Sequence, residues 1–481
     1  MSPSRASGMS GVQEAMNYAE IQERLQRLAA QPVRDIPDEG MNRVQAEIER
    51  KTARSAALFE RAKRVVSQGV EHMLSPTDPY PLFMEKGEGS RLTDVDGNVY
   101  IDYVLGGGTV IMGHNPPRLN ERIAEVLRRK GSLHGLCDEY EVLAAEKIAQ
   151  HMPAAERVRF FQSGTEAAMA AARLVRAYTG KTKIIKFRGA YHGWADQFVT
   201  DMWVPGSGPL LANGIPPEHR AHTVLVYQND LDELERAFRA HTDDVAAVFV
   251  EPVGAESGSL PLMDGFHQEV RSLCHRHGAL YVFDEVVTGF RLGLGGAQAY
   301  LQVQPDVIIL GKIIMGGYPS CGAVAGRADI IDTFSSARGV GGRTAFVAGT
   351  LAANVLSAAA CYCTIVELEE SYAIEKAAQT ADKLVAGLNA MFAARETDYF
   401  AYNYASILHV ETAAPTAYRI DAPGGLQEVM RRRDCLEKYA LILRNEGILS
   451  LLGRGFVSAA HSDEDIAATV AAYEKVIDML D

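Results

Sequence analysis

A lysine at the end of an apolar run is the residue of this chain best suited to covalent chemistry. Lys312 follows VIIL and precedes a pair of glycines in PDVIILGKIIMGGYPSCGAV. Burial disfavours the charged form of a lysine, so we expect a neutral amine that can attack a carbonyl group. The alternative is a strand-end lysine that buries its stem and extends its ammonium group into water.

Two carboxylates end another apolar run. Asp284 and Glu285 follow the strand-like segment in ALYVFDEVVTGFR. A carboxylate buried at the end of a core strand is costly unless a cation or a hydrogen-bond donor faces it. The segment therefore predicts that a positively charged or donating group lies opposite the acid.

A third group stands where a strand passes into a helix. Ser163, Gly164 and Thr165 occupy this place in FFQSGTEAAMAAARLV. Backbone N–H groups, small hydroxyl residues and the positive end of a helix dipole together suit a phosphate group. The alternative is plain helix capping, because Ser and Thr also cap helices that bind no ligand.

A fourth group follows the strand-like segment KIIKF. Tyr191, His192 and Gly193 lie there in KFRGAYHGWAD, and an aromatic ring at this place can stack on a planar ligand or serve as ordinary packing. Together the four groups offer a phosphate cup, a stacking ring, an acid for a pyridinium nitrogen and an amine for an aldehyde. The ligand that combines those features is pyridoxal 5'-phosphate.

The segments that carry these residues are short apolar strands alternating with helical stretches. This alternation predicts crossover connections and an α/β fold with a largely parallel sheet. The nearly continuous apolar character of VAAVFV and ALYVF indicates strands covered on both faces. In such sheets ligands bind beyond the carboxyl ends of the strands, where all four groups are expected.

The chain divides into four predicted parts. Residues 1–50 form a polar, helix-prone arm that needs a surface to pack on. Residues 51–106 include the hairpin pattern RLTDVDGNVYIDYV and begin a small domain. Residues 107–345 form the large, cofactor-binding domain, and residues 346–481 complete the small α+β domain.

Composition excludes several classes of protein. The formal net charge of -13 disfavours nucleic acid and acidic membrane surfaces as partners. No apolar stretch approaches the roughly 18 residues of a membrane span. The scattered cysteines and the polar start predict a reduced, cytoplasmic protein. The cluster Cys274, His275 and His277 lacks a second ligand pair, so no metal site is predicted.

From about Gly69 to its end, the sequence resembles the class III pyridoxal-phosphate aminotransferases. Within that family it is most similar to the glutamate-1-semialdehyde 2,1-aminomutase branch. The resemblance is carried by DVDGNVYIDY, GHNPP, SGTEAAMAAARLVRAYTG, GAYHG, EPV, FDEVVTGFR, GGAQAY, PDVIILGK and SAAHSDEDI. The separation of 28 residues between Asp284 and Lys312 is that of the family.

The resemblance implies roles for individual residues. Lys312 resembles the Schiff-base lysine that also shuttles a proton, and Asp284 the partner of the pyridine nitrogen. Gly164 and Thr165 resemble the phosphate cup, and Tyr191 the ring on the cofactor face. Ser163, His192, Glu256 and Val286 are assigned to the same cofactor site.

The resemblance further implies the fold and the assembly. The family has the type I fold of these enzymes, with a mostly parallel seven-stranded sheet in the large domain. A threonine from the neighbouring subunit completes the family's phosphate site, and Thr350 in VAGTLAANV stands at that place. A homodimer with a shared active site is therefore expected.

Several positions depart from the aminomutase branch. This chain has no arginine between Gly69 and Arg91, where aminomutases hold the substrate carboxylate. It has Glu256 in place of an asparagine, and Arg454 where related transaminases grip an α-carboxylate. Val355 also replaces a usual proline, and SSARGVGGRTAF replaces the aminomutase gating segment.

Glu256 and Arg454 together suggest a switchable ion pair over the cofactor. A transaminase accepts a carboxylate substrate in one half-reaction and a substrate without that carboxylate in the other. An arginine that pairs with a glutamate when no substrate carboxylate is present leaves neither charge buried alone. The alternative is a solvated loop arginine between two glycines.

The sequence therefore predicts a pyridoxal-phosphate-dependent aminotransferase that moves an amino group between an amine or amino acid and a keto acid by a ping-pong mechanism. The alternatives are a 1,2-aminomutase and a catalytically idle protein of the same fold, against which the pairing of Lys312 with Asp284 argues. The substrate is not named by the sequence. Residues expected near the entrance favour apolar or aromatic amines or β-amino acids; they are His72, Met73, Leu74, Tyr80 and Tyr318, of which Tyr80 is assigned to the substrate.

Overall fold

The computed structural model describes residues 16–72, 78–133, 135–320, 322–335 and 343–480. Met73 and Leu74 lie outside the described residues. The described N-terminal residues form α1 (Tyr18–Ala29), α2 (Asp38–Lys51), α3 (Ala53–Ala62), β1 (Met84–Glu88), β2 (Arg91–Asp94) and β3 (Val99–Asp102), with a 3-10 turn over Ser67–Gly69. The predicted hairpin corresponds to β2 and β3, which pair antiparallel.

The central part alternates helices and strands. Its elements are α4 (Leu105–Gly108), α5 (Pro117–Lys130), α6 (Glu139–His151), β4 (Arg157–Phe161), α7 (Gly164–Thr179), β5 (Lys183–Phe187), α8 (Pro217–Arg220), β6 (Thr223–Val226), α9 (Leu231–Ala240), β7 (Val245–Val250), α10 (Ala255–Gly258), α11 (Phe266–Arg276), β8 (Leu280–Glu285), α12 (Gly296–Tyr300), β9 (Val307–Gly311), β10 (Gly322–Gly326), α13 (Ala328–Ile331), β11 (Phe334–Ser335) and β12 (Ala345–Phe346).

The C-terminal part contains long helices and short strands. They are α14 (Val355–Ser371), α15 (Ala373–Ala394), β13 (Phe400–Tyr404), β14 (Ile407–Glu411), α16 (Gly425–Asn445), β15 (Ile448–Leu449), β16 (Arg454–Phe456) and α17 (Asp463–Asp478). β15 pairs parallel with β3, so both ends of the chain contribute to one small sheet. The division into four parts at residues 50, 106 and 345 stays a prediction.

A seven-stranded sheet in the order β4-β10-β9-β8-β7-β5-β6 forms the centre of the molecule. β10 runs antiparallel to both of its neighbours, and the other pairings are parallel. Every residue of β7 and β8 is buried, because helices cover both faces of the sheet. The predicted α/β fold with a mostly parallel seven-stranded sheet is confirmed.

The N-terminal arm packs on the C-terminal part of its own chain. Ile21, Leu25 and Leu28 of α1 are buried in one apolar core with Leu384 and Leu388 of α15. The helix begins at Asn17, whose side chain accepts a hydrogen bond from the Glu20 N–H. The surface that the amphipathic arm requires is therefore supplied within the same chain. None of the described helices combines the length and the apolar character needed to cross a membrane.

Glu411 at the end of β14 gives a prediction about stability. Burial raises the pKa of this carboxyl group to about 7, above its value in an unfolded chain. Its contribution to stability is therefore complete below about pH 4.5 and is lost as the pH rises towards 7. The melting temperature of Glu411→Gln should match that of the parent near pH 4 and exceed it above pH 7, because only the parent loses free energy of unfolding, on the order of 3 kcal/mol, over that range.

The matched control is Glu121→Gln on the exposed face of α5. Its melting temperature should follow that of the parent at every pH. A constant difference between Glu411→Gln and the parent across pH 5 to 8 would show that Glu411 does not titrate in this range.

Candidate active site

A cavity of about 550 Å³ opens at the carboxyl ends of the parallel strands. Ten of the twelve residues assigned from the sequence line it: Ser163, Gly164, Thr165, Tyr191, His192, Glu256, Asp284, Val286, Lys312 and Arg454. Two do not. Thr350 lies exposed outside the cavity of this chain, and the Tyr80 hydroxyl lies 3.0 Å from the Thr52 Oγ1 atom. Tyr80 is therefore not placed at the substrate cavity of its own chain.

Lys312 reaches the cavity because β9 ends one residue before it. The strand is fully buried, and a 3-10 turn over Lys312–Met315 follows it directly. Lys312 itself has a φ of 49°, a left-handed backbone conformation that residues other than glycine rarely adopt. The neighbouring strand β8 runs parallel with Asp284 opposite Ile309, so the lysine and the aspartate enter the cavity from adjacent strands.

Asp284 is held by a buried histidine. The His192 Nδ1 atom lies 2.7 Å from Asp284 Oδ2, and the Val286 N–H donates to Oδ1 over 3.1 Å. Burial lowers the pKa of His192, although the hydrogen bond to Asp284 opposes this shift. A neutral imidazole therefore donates from Nδ1 and orients the carboxylate. Phe198 and Phe249 pack edge-on against the imidazole ring.

Two glycines shape the space at the start of α7. Ser163 caps this helix by accepting a hydrogen bond from the Glu166 N–H over 3.1 Å. A Cβ atom at Gly193 would lie 2.6 Å from Thr165 Oγ1, and one at Gly164 would lie 3.2 Å from a Val286 methyl group. The first N–H groups of a helix have no partner within the helix. The glycines thus keep a cradle open in front of N–H groups that can bind an anion.

An aromatic pair forms one wall of the cavity. The rings of Tyr191 and Trp203 stack with centroids 6.0 Å apart and planes inclined by 19°. Trp203 was not predicted, because it follows Tyr191 by twelve residues in a long loop and no local pattern marks it. Its φ of 64° is unusual for a bulky side chain and indicates that the loop is held by its surroundings.

Lys186 holds the loop that carries this aromatic pair. Its buried Nζ atom donates to the carbonyl oxygens of Ala190 and Thr200, each over 2.8 Å, and to that of Phe198 over 3.3 Å. Burial lowers the pKa of the amine to about 8. A lysine in the middle of the apolar segment KIIKF was the available signal, because such a residue must find polar partners.

The predicted pairing of Glu256 with Arg454 is present. Arg454 Nη1 lies 2.6 Å from Glu256 Oε2 and also donates to the Glu256 carbonyl oxygen over 2.8 Å. Both side chains are mostly shielded, with exposed fractions of 18% for the glutamate and 24% for the arginine. Arg454 lies in β16 opposite His409 of β14, so the C-terminal sheet brings it to the cavity.

Glu251 is a cavity residue that sequence reasoning missed. It follows the fully buried strand β7 and accepts hydrogen bonds from the N–H groups of Tyr191, Glu256 and Ser257. Burial and the nearby Glu256 carboxylate raise the pKa of Glu251 to about 7. The signal was present, since EPV places a carboxylate at the end of an apolar strand as FDE does.

These side chains fit a phosphorylated pyridine aldehyde. The cradle beside Gly193 suits its phosphate, the ring of Tyr191 suits a flat heterocycle, and Asp284 and Lys312 provide an acid and an amine. A phosphate needs N–H donors, and an aldehyde needs a nucleophile. The fold and the cavity therefore define the class of enzymes that use pyridoxal phosphate.

Comparisons with known proteins agree with that class. The aminotransferase class-III family matches residues 73–399. A glutamate-1-semialdehyde 2,1-aminomutase of Desulforapulum autotrophicum is 37% identical over 437 residues, which cover 89% of this chain and 99% of the relative.

Two solved structures are similar over nearly their whole length. An omega-transaminase from Sphaerobacter thermophilus has a TM-score of 0.79 and 28% identity, covering 90% of this chain and 99% of that one. A β-phenylalanine aminotransferase from Variovorax paradoxus has a TM-score of 0.78 and 27% identity, covering 92% and 97%. The chain belongs to the class III aminotransferase family and is an enzyme whose cofactor is pyridoxal 5'-phosphate.

The cradle at Gly193 yields a prediction about cofactor binding. Gly193→Ala should raise the dissociation constant of pyridoxal phosphate about tenfold or more, because the added methyl group would displace Thr165. Titration of the apoenzyme, followed by absorbance, measures this constant. The control is Gly208→Ala, a glycine that also has positive φ and whose Cβ would meet no described atom within 4 Å. Equal affinities of the two variants would contradict the cradle.

Proposed function

We propose that this enzyme is a transaminase that moves an amino group between an amine or amino acid and a keto acid by a ping-pong mechanism. The observation that carries the proposal is the contact of Arg454 with Glu256 in the cavity that also contains Lys312 and Asp284. An arginine with a built-in partner suits a site that alternates between substrates with and without a carboxylate.

The proposed roles follow from position and chemistry. Bound pyridoxal phosphate supplies an aldehyde and an electron-accepting ring. Lys312 would hold the aldehyde through its amine and would carry the proton that the substrate carbon loses. Asp284, oriented by His192, keeps a proton on the pyridine nitrogen. Tyr191, which lines the cavity, would pack against the ring.

The phosphate site combines several residues. Ser163, Gly164 and Thr165 bind the phosphate at the start of α7, and Val286 borders the cofactor beside Gly164. In the proposed homodimer, Thr350 of the second subunit completes the site. The exposure of Thr350 on this chain supports that role. We place the enzyme in the cytoplasm, in line with its scattered cysteines.

The substrate specificity follows from the lining of the cavity. We propose apolar or aromatic amines or β-amino acids as donors, because Tyr191, Trp203, Tyr318, Leu451 and Phe456 present apolar surface to the cavity. The similar structure of a β-phenylalanine aminotransferase supports this choice. Arg454 binds the carboxylate of the keto acid in the second half-reaction.

A 1,2-aminomutase is the second candidate. It is favoured by the curated relative with that name, which is 37% identical over 437 residues. The chain lacks the arginine that aminomutases carry between Gly69 and Arg91. A mutase keeps the amino group on one substrate, whereas a transaminase consumes a keto acid.

The proposal predicts the behaviour of a Lys312→Ala variant. The parent should be yellow, lose its absorbance band on borohydride reduction, and consume pyruvate or 2-oxoglutarate in proportion to the amine supplied. Lys312→Ala should lose the covalent borohydride adduct and at least about a thousandfold in rate, since the attacking amine is gone. The control is Lys183→Ala, which removes a half-buried lysine at the start of β5 that does not line the cavity. Turnover of one amine with no keto acid consumed would favour the mutase instead.

The ion pair predicts an asymmetric effect of Arg454→Ala. The half-reaction with a keto acid should lose about 100-fold in kcat/KM, because a charge-paired carboxylate contact is removed. The half-reaction with an amine that has no carboxylate should change less than about threefold. Single-turnover absorbance measurements separate the two.

The matched control for this experiment is Arg419→Ala, which removes an arginine that pairs with Asp421 outside the cavity. Equal losses in both half-reactions, or no loss in either, would exclude the switch.

A further inference from the structure

Glu251 connects two parts of the cavity wall through three backbone hydrogen bonds. One carboxylate oxygen accepts from the Tyr191 N–H over 2.9 Å and from the Glu256 N–H over 3.2 Å. The other accepts from the Ser257 N–H over 2.9 Å. The side chain is nearly inaccessible, since the residue is 8% exposed. A single carboxylate thus links the main chain of the stacking ring to the turn that carries Glu256.

That turn has an unusual conformation. Glu256 and Ser257 have φ values of 55° and 57°, both left-handed and both on residues other than glycine. Such residues persist only where the surroundings hold them. On the opposite side, His409 Nε2 lies 3.1 Å from the Ser257 carbonyl oxygen and the Tyr402 hydroxyl donates to the Gly258 carbonyl oxygen over 3.0 Å.

The hydrogen bond from His409 to the Ser257 carbonyl oxygen does not involve the Glu256 side chain. Burial and the charge of Arg454 lower the pKa of His409 to about 3, so its ring is neutral and can donate to the turn at neutral pH. Arg454 donates to the Glu256 carbonyl oxygen in addition to pairing with the Glu256 carboxylate. The main chain of the turn therefore sets the position of the arginine even when the Glu256 side chain is elsewhere.

We propose that Glu251 is a positioning residue that fixes the Glu256–Ser257 turn, so that the exchange of Arg454 between Glu256 and a substrate carboxylate needs only a side-chain rotation. This inference rests on the proposed transaminase function. An arginine placed by a fixed carbonyl oxygen is ready for the substrate carboxylate. If the turn were mobile, part of the binding energy would be used to order it.

The test compares Glu251→Gln with the parent in the two half-reactions. The amide retains the shape of the side chain but presents an NH2 group to N–H donors, so the turn loses an acceptor. KM for the keto acid should rise about tenfold, with kcat and the KM of an amine without a carboxylate changing less than about threefold. Visible circular dichroism of the bound cofactor should also change, because Tyr191 is held by the same carboxylate.

The matched control is Glu285→Gln. Glu285 is a buried carboxylate at the end of the adjacent strand that also accepts backbone and hydroxyl hydrogen bonds, from the Ala297 N–H and from Thr288. Burial raises its pKa to about 7, as for Glu251, but it does not line the cavity. Glu285→Gln should leave the KM ratio of the two substrates as in the parent.

A double-mutant cycle separates positioning from general damage. If Glu251 acts through Arg454, Glu251→Gln should have no further effect on the keto-acid KM in an Arg454→Ala background. Additive effects, or equal KM changes for both substrates, would overturn the inference. A parent that transaminates no substrate pair would instead overturn the proposed function, and these two failures are distinct.

A measurement on the unaltered holoenzyme covers the case in which Glu251→Gln does not fold. Amide hydrogen exchange in a peptide spanning residues 252–258 should be slow and unchanged when a saturating keto acid is added, because the turn stays fixed while the side chain moves. Faster exchange on addition of the keto acid would show that the main chain moves, and would overturn the inference.

Discussion

The parallel pairing of β8 with β9 is the constraint on which the cavity depends. Because the two strands are adjacent and point the same way, the residues that follow them must meet at one edge of the sheet. Asp284 at the end of β8 and Lys312 just after β9 are brought together in this way. A shift of either strand by one residue would turn its own side chains to the other face and separate the pair.

The charges around the cavity balance one another locally. Three carboxylates line it, those of Glu251, Glu256 and Asp284, together with the amine of Lys312 and the guanidinium of Arg454. Glu256 has its own guanidinium partner, and Asp284 has the donor His192. Among the described residues Glu251 accepts from N–H groups, and burial together with the nearby Glu256 carboxylate raises its pKa. A bound phosphate adds negative charge, so it belongs near helix N–H groups and away from the three acids.

Much of this arrangement could be predicted from the sequence, and the remainder has identifiable physical reasons. The strand-end rule identified Lys312 and Asp284, because alternating helices and strands predict a parallel sheet whose strands end at one edge. The same rule applied to EPV would have found Glu251. Trp203 could not be found, since its place depends on how a long loop is anchored by the distant Lys186. Tyr80 was assigned from its expected place at the entrance, but its hydroxyl lies against Thr52.

Backbone strain at the cavity explains why this fold suits a change of partner by the Arg454 side chain rather than a movement of the main chain. Lys312, Trp203, Glu256 and Ser257 all have left-handed φ values, and each costs roughly 1 to 3 kcal/mol. These conformations persist because buried strands and the hydrogen bonds of Glu251, His409 and Lys186 hold the segments in place. A main chain held from several sides does not readily rearrange for each substrate, whereas a change of partner for the Arg454 side chain leaves that main chain in place. The strained loops thus provide a fixed frame for the proposed alternation of Arg454 between Glu256 and a substrate carboxylate.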